Sequence, residues 1–325
     1  MRARVIMLMV AALVAAGCAA GPPPAASPPA RPSGGSTGAG VDGCGRGPGL
    51  EAGRHVLSHG GLRRRFLLAL PEGDGPHPVI LDLHGLGSGA VQQRAYSRLA
   101  EQGTRRGYVV ATPQAADGRM GWTLPRTGGP DDTAFLAALL DHLRRTLCVD
   151  ARRQFAAGMS YGAAMAVSLV CVMDGRLSAV AAVAGLNIVR PCQDAPPTTI
   201  VAFHGTGDQV VPYEGGHPLR SAPGDLRALG RLVTLEPVER AAAAWAARLG
   251  CTGRATARAT ARPAANVRLQ RWRTCPGRAT LALYTVEGGG HTWPGSADVP
   301  RLGPVTRDLD ATAVILNAFD RAPSR

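Results

Sequence analysis

The chain has 325 residues, which is enough to bury the core of one large domain or of two small ones. Its formal net charge is +13, and because it contains no lysine, every fixed positive side-chain charge comes from arginine. A P-loop binds phosphates with a lysine, so this class of nucleotide-binding protein is excluded. A cationic surface can attract nucleic acid or acidic polymers. We interpret the charge as part of a general arginine, alanine and glycine bias, and we predict no nucleic-acid partner.

The N-terminus predicts an export signal. Two arginines precede an uncharged stretch over residues 5–16, which is too short to cross a bilayer as a stable helix. Small residues and then Cys18 follow, a pattern similar to the lipobox of bacterial lipoproteins, whose cysteine is lipidated. Ordinary cleavage one or two residues further on, with free secretion, is the alternative. We predict that residues 1–18 are a lipoprotein signal peptide and that the protein is extracellular or on the cell surface. It would contact the membrane only through a lipid on Cys18.

The composition changes sharply after the predicted signal. Residues 19–43 are almost entirely alanine, glycine, proline, serine and threonine. Such a stretch cannot bury a core, so it predicts a flexible tether. The remaining residues, 44–325, are predicted to form one domain, and no separate polymer-binding module is visible.

Strands and helices alternate from residue 54 onward. A hairpin is predicted over 55–70. The later predicted strands are 78–83, 108–112, 154–157, 179–183, 199–203 and 279–286, and the predicted helices are 90–105, 132–147, 163–173, 237–249 and 309–320. This alternation predicts an α/β fold with a mostly parallel central sheet and helices on both of its faces. In such sheets the functional residues follow the carboxyl ends of the strands.

One serine lies in the sequence context of a nucleophile. The pentapeptide Gly-Met-Ser-Tyr-Gly at 158–162 separates a predicted strand from a predicted helix, where a sharp turn exposes the serine hydroxyl. A second GxSxG match at 34–38 has neither a strand before it nor a helix after it. The context therefore selects Ser160.

A serine hydroxyl needs a base to take its proton, and the base needs a carboxylate to orient it. His291 follows the last predicted strand on a glycine-rich loop, and Asp208 follows the core strand before it. His204 also ends a strand, but it precedes the carboxylate. The order Ser160, Asp208, His291 is that of the α/β-hydrolases.

Acyl transfer also needs N–H donors aimed at the developing oxyanion. The residue after the nucleophile, Tyr161, supplies one backbone N–H. The second is expected from the turn after the strand 78–83, where we assign the N–H of Leu86. A plain tight turn is the alternative interpretation of this His-Gly segment.

Three further residues are predicted to bind substrate. Trp122 and Trp293 lie beside the predicted site loops, where an indole can stack on an aromatic or sugar ring, and His84 lies in the oxyanion turn. Core packing is an equally good account of Trp293.

Six cysteines remain after Cys18, and an even number in an exported chain predicts disulfides. The favoured pairs are Cys251 with Cys275, Cys171 with Cys192, and Cys44 with Cys148. The first pair is favoured because it flanks one arginine-rich insertion, and the last follows only by elimination. Unpaired buried thiols are the alternative.

Five ordered blocks resemble the polyhydroxybutyrate depolymerase and feruloyl esterase family of serine esterases. They are HGLG at 84–87, GW at 121–122 with DDTAF at 131–135, GMSYG at 158–162, HGTGDQVVPY at 204–213, and GGHTWPG at 289–295. The resemblance covers about residues 50–320 and implies an α/β-hydrolase fold, hydrolysis of carboxylic esters, and a triad of Ser160, Asp208 and His291. The implied substrates are small esters or short oligoesters of the hydroxyalkanoate, feruloyl or acetyl type, whether free or linked to polysaccharide.

Two departures from the family bear on the acyl pocket: Tyr161 stands where many members have asparagine, and the segment 215–233 does not align. We expect no cofactor and no metal, since the chain has no HExxH and no pair of CxxC motifs.

The sequence allows three other interpretations. Residues 85–90 fit the dinucleotide pattern GxGxxA, but the next strand ends without the acidic residue that this pattern requires. A non-catalytic surface lipoprotein that binds cell-wall polymer or glycan is the main alternative function. The third interpretation is that the arginine-rich segment 254–278, which contains Trp272, binds an anionic polymer. A solvated surface loop closed by a disulfide is favoured instead.

Overall fold

The structure is a computed structural model and describes residues 43–45, 49–220, 222, 224–253, 256–259 and 266–325. The predicted signal peptide, Cys18 and the tether up to residue 42 lie outside the described residues.

The chain alternates strands with helices, as predicted. In order, the elements are β1 (Gly53–His59), β2 (Leu62–Ala69), β3 (His77–Leu83), α1 (Ala90–Ser97), α2 (Leu99–Thr104), β4 (Val109–Pro113), α3 (Asp132–Thr146), β5 (Val149–Met159), α4 (Tyr161–Val172), β6 (Leu177–Val183), β7 (Thr199–Gly205), α5 (Gly224–Gly230), α6 (Val238–Arg248), β8 (Thr256–Ala259), β9 (Val267–Trp272), β10 (Leu281–Val286) and α7 (Ala311–Arg321).

The described strands form one sheet in the order β1-β2-β4-β3-β5-β6-β7-β10-β9-β8. The six central strands, from β4 to β10, are parallel to one another. Antiparallel strands extend the sheet at both edges. The predicted mostly parallel α/β architecture is therefore confirmed.

Hydrophobic side chains cover both faces of the sheet. Successive residues of a strand point to opposite faces. In β3, for example, Leu81 belongs to the core under α3, α4 and α6, whereas its neighbour Ile80 belongs to the core under α2 and α7. Strands buried on both faces explain why the central runs are almost purely apolar in the sequence.

The predicted helix over 90–105 is two helices, because the chain breaks at Arg98. This residue has φ of 53°, in the left-handed region that non-glycine residues rarely occupy. Its guanidinium lies 2.8 Å from a carboxylate oxygen of Asp310 at the start of α7. Hydrophobic periodicity contains no signal for such a break.

The expectation of a surface loop in the arginine-rich segment 254–278 is wrong. Instead of a solvated surface loop, the structure has strands β8 and β9, which continue the sheet beyond β10. Val267 and Leu269 alternate with polar residues and are buried, and Trp272 is buried as well. The arginines of this segment give it a polar composition, so its composition alone does not indicate a strand.

All three predicted disulfides are present, so the pairing is confirmed. They join Cys44 to Cys148, Cys171 to Cys192, and Cys251 to Cys275. Cys148 directly precedes β5, so the first bridge attaches the start of the domain to the amino end of the central strand. Among the residues that the structure describes, no helix has both the length and the apolar character needed to cross a bilayer.

Candidate active site

Ser160 lies on a strained turn between β5 and α4. Its φ is 58° and its ψ is −120°, a conformation that costs energy for a residue with a side chain and is found mainly at functional sites. Its N–H donates to Val183 O over 2.7 Å. A Cβ atom on Gly162 would lie only 2.1 Å from Leu83 O. The turn therefore needs glycine at that position to bring the helix against the neighbouring strand.

Asp208 and His291 form a close pair past the carboxyl ends of β7 and β10. The distance from His291 Nδ1 to Asp208 Oδ2 is 2.7 Å, and both side chains are buried. A carboxylate accepts, so Nδ1 carries the proton and Nε2 keeps a lone pair. The sequence-predicted acid and base are therefore brought together, with the imidazole in the tautomer that a general base requires.

Asp208 is held by more donors than His291 alone. Its Oδ1 accepts from the N–H groups of Val210 and Val211, each over 2.8 Å, and His204 Nε2 lies 3.3 Å from its Oδ2. Burial by itself would raise the pKa of Asp208, but the charge of His291 and the hydrogen bonds from both histidines hold this pKa below its usual range. A carboxyl group with a lowered pKa is ionised at neutral pH, so Asp208 accepts the hydrogen bond from His291 as a carboxylate.

Two backbone N–H groups beside Ser160 are free. In the described part of the chain, neither Leu86 N nor Tyr161 N donates to a protein acceptor. Tyr161 is the first residue of α4, where the helix dipole also favours negative charge. The turn that carries Leu86 packs directly against Ser160, since a Cβ atom built on Gly85 would lie 3.3 Å from Ser160 Cβ. The two N–H groups can therefore serve as the donors of an oxyanion hole.

The ring of His84 fixes the orientation of the Leu86 N–H. His84 Nε2 accepts from Ala115 N over 3.1 Å, so the proton resides on Nδ1, which donates to Gly85 O over 2.9 Å. Burial lowers the pKa of His84, which keeps the ring neutral. Gly85 O and Leu86 N–H belong to one planar trans peptide and point in opposite directions. Holding the carbonyl therefore aims the N–H.

Replacing His84 by alanine is expected to lower kcat for ester hydrolysis by about 10²-fold with little change in KM, because a misaligned donor is lost mainly in the transition state. His84→Asn, which keeps a side-chain N–H, is expected to recover part of that loss. Steady-state kinetics measure both, with His217→Ala on an exposed histidine as the control. A rise in KM alone, or equal activity of the alanine and asparagine variants, would contradict this positioning role.

Ser160 and His291 line one cavity of about 370 Å³. Its other walls come from the Leu86 turn, from α1 and from the segment that precedes α7. They include Gln93, Tyr96, Met159, Val299, Arg301 and Leu302. These wall residues are not predicted from the sequence, because neither a motif nor hydrophobic periodicity distinguishes them from other residues of α1 and the loops.

The structure corrects the prediction that Trp122, Trp293 and His84 contact substrate. Their relative exposures are 2%, 1% and 0%. The indole of Trp122 donates to His84 O over 2.8 Å, and the indole of Trp293 donates to Thr312 Oγ1 over 2.9 Å. Trp122 and Trp293 belong to the hydrophobic cores on the two faces of the sheet, so they pack behind the loops of the site.

A buried carboxyl lies beneath the cavity wall. Asp82, near the end of β3, accepts from Gln93 Nε2 and from Ser97 Oγ, each over 2.7 Å. Burial outweighs these two hydrogen bonds and raises the pKa of Asp82 to about 7. No arginine or histidine of the described chain forms an ion pair with it.

We expect the free energy of unfolding to fall as the pH rises from about 4 to about 7, by an amount on the order of a few kcal/mol. The folded protein keeps the proton of Asp82 through this window, whereas the unfolded chain releases it near pH 3.8. Stability is therefore greater on the acidic side. Urea unfolding at several pH values measures the slope. Asp82→Asn is expected to flatten the dependence of stability on pH, whereas Asp74→Asn, at an exposed position, is expected to leave it unchanged. Equal slopes in the wild type and both variants would show that Asp82 is not the group that keeps its proton.

Comparisons with known proteins agree with this geometry. The chain is 32% identical over 243 residues to the putative esterase NocK of Nocardia uniformis subsp. tsuyamanensis, which covers 70% of this chain and 67% of that protein. It is 28% identical over 245 residues to feruloyl esterase B of Piromyces equi, which covers 70% of this chain. That match spans only 42% of the length of the fungal enzyme.

The acetyl xylan esterase from Aspergillus awamori shares the fold. Its structure superposes with a TM-score of 0.53 and 14% sequence identity, over 74% of this chain and 94% of that one. No family model matches the chain. From the identity and coverage shared with the putative esterase, together with the sheet and its helices, we conclude that the chain belongs to the esterases of the α/β-hydrolase superfamily.

Proposed function

We propose that the protein hydrolyses carboxylic esters through a covalent acyl-enzyme on Ser160. The observation that carries the proposal is the 2.7 Å contact between His291 Nδ1 and Asp208 Oδ2. It leaves His291 Nε2 as the basic atom of a residue that lines the same cavity as Ser160.

The reaction would proceed in two halves. His291 Nε2 takes the proton of Ser160 Oγ as this oxygen attacks the ester carbonyl, and the N–H groups of Leu86 and Tyr161 hold the oxyanion. His291 then gives the proton to the departing alcohol as the carbon–oxygen bond breaks. Water, deprotonated by the same nitrogen, attacks the acyl carbon, and the bond between this carbon and Ser160 Oγ breaks. His291 returns the proton to Ser160 Oγ as the acid is released.

The cavity supports a small acyl group as the substrate. A volume of about 370 Å³ lies near the lower end of the range for small-molecule sites, and Leu86, Met159 and Leu302 supply apolar walls. Relatives of the chain are named feruloyl esterases, and its fold neighbour is an acetyl xylan esterase. We infer that acetyl and aromatic acyl esters of alcohols or sugars are the substrate class.

The three disulfides support action outside the cytoplasm, where such bonds persist. We infer that the protein is exported, and the lipid on Cys18 remains a prediction of this proposal. Mass spectrometry of the mature N-terminal peptide tests it, and an unmodified peptide would refute the anchor.

The proposal is tested by assaying p-nitrophenyl acetate, butyrate and octanoate together with methyl ferulate, and by treatment with a p-nitrophenyl phosphonate. We expect turnover of the short or aromatic esters and one phosphonyl group on the peptide that contains Ser160. An inactive protein that resists the phosphonate would instead favour the non-catalytic binding function.

A further inference from the structure

A second cleft, of about 450 Å³, opens between α7 and the sheet. Strands β7, β9 and β10 form its floor, and one side of α7 forms a wall. Four arginines line it: Arg271 on β9, Arg273 and Arg278 on the segment after β9, and Arg321 at the end of α7. Three of them belong to the arginine-rich segment 254–278, which has no role in the proposed ester hydrolysis.

The cleft lies at the opposite end of the sheet from the active site. Thr199 and Leu281, the first residues of β7 and β10, line it, whereas Asp208 and His291 follow the other ends of the same two strands. At about 3.3 Å per residue, the length of β7 places the two sites about 20 Å apart. A ligand in the cleft is therefore remote from the reacting ester.

The positive charge of the cleft is not compensated by the described residues. None of its four arginines lies within ion-pair distance of a described carboxylate, and no aspartate or glutamate lines the cleft. Arg271 donates only to the hydroxyl of Tyr284, over 3.3 Å, and Arg321 only to the carbonyl of Asn317, over 2.9 Å. By contrast, Arg268 on the same β9 strand pairs with two glutamates.

We propose that this cleft binds a ligand that carries a phosphate group. Planar guanidinium groups form paired hydrogen bonds to phosphate oxygens, and a phosphate monoester has a charge of about −1.5 to −2 to set against several cations. A single carboxylate would leave most of this positive charge unbalanced. The hydroxyls of Thr199 and Thr280 add neutral hydrogen-bonding groups, and Ala282 and Val314 offer apolar surface to the rest of the ligand.

Calorimetric titration of the full exported chain with inorganic pyrophosphate tests the proposal. Arg273→Gln combined with Arg278→Gln is expected to weaken binding by about tenfold or more, since each lost guanidinium–phosphate contact is charge-assisted. The matched control is Arg54→Gln combined with Arg63→Gln, two exposed arginines of the first hairpin whose loss changes the net charge equally. We expect this control to bind like the wild type, and melting temperatures check that both variants fold.

No binding of pyrophosphate, equal weakening in the two double variants, or tighter binding of citrate than of pyrophosphate would each overturn the proposal. If the cleft variant fails to fold, Arg321→Gln takes its place. Sedimentation with vesicles of phosphatidylglycerol and phosphatidylcholine separates the two sources of phosphate. Retention on the anionic vesicles that is lost in the cleft variant identifies a lipid headgroup, and pyrophosphate binding without vesicle binding identifies a free phosphate compound.

Discussion

Replacing Ser160 by alanine is expected to lower kcat/KM for p-nitrophenyl acetate by about 10⁴ to 10⁶-fold, because no other oxygen is placed to form the acyl-enzyme. The fold should persist, since alanine keeps the Cβ atom and the N–H that donates to Val183 O. A small residual rate over water is expected, because the two N–H donors remain in place.

Initial-rate kinetics of the purified variant measure this loss, and a circular dichroism spectrum checks the fold. Ser58→Ala, on an exposed position of β1, is the matched control and should retain full activity. If Ser160→Ala turned over the ester as fast as the control, Ser160 would not be the nucleophile.

Asp208→Asn is expected to lower kcat/KM by about 10⁴-fold while the protein stays folded. An amide in place of the carboxylate can donate to His291 Nδ1, which would move the ring proton to Nε2 and remove the lone pair that Ser160 needs. The amide also cannot stabilise the imidazolium that forms during the reaction. The loss is expected mainly in kcat, since Asp208 does not line the substrate cavity.

The pH profile gives a second measure of the same pair. Because the pKa of Asp208 is held below its usual range, its carboxylate stays charged at acidic pH values at which an ordinary aspartate begins to be protonated. Protonation of Asp208 is therefore not expected to cause the acidic fall of kcat/KM in the wild type. Asp74→Asn, an exposed substitution, should reproduce the wild-type profile. An Asp208→Asn variant with wild-type kcat would remove Asp208 from the mechanism.

The sequence predicted the positions of the site residues well because they obey a simple rule of parallel sheets. Ser160, Asp208 and His291 each follow a strand that is recognisable from its apolar run, and the carboxyl ends of neighbouring parallel strands meet at one edge. The start of α3 also agrees with the predicted helix 132–147, and Asp131 caps it by accepting from Ala134 N over 2.9 Å.

Features that depend on packing between distant segments could not be predicted in this way. Arg98, at the break between α1 and α2, forms an ion pair with Asp310, more than two hundred residues later in the chain. For Trp293 the sequence left substrate stacking and core packing equally open, and for Trp122 it favoured stacking, but both indoles are buried. The walls of the substrate cavity come from α1 and from residues 297–302, and their proximity follows only from the way α7 returns across the sheet.

The bridge between Cys44 and Cys148 fixes the end of the sheet at which the chain enters the domain. Cys148 directly precedes β5, and Ser160 directly follows it. Because residues 149–158 run alongside only residues 77–83 of β3, the strand separates the bridge from the nucleophile by about 20 Å. Any attachment upstream of Cys44 therefore holds the domain by the end opposite its catalytic opening.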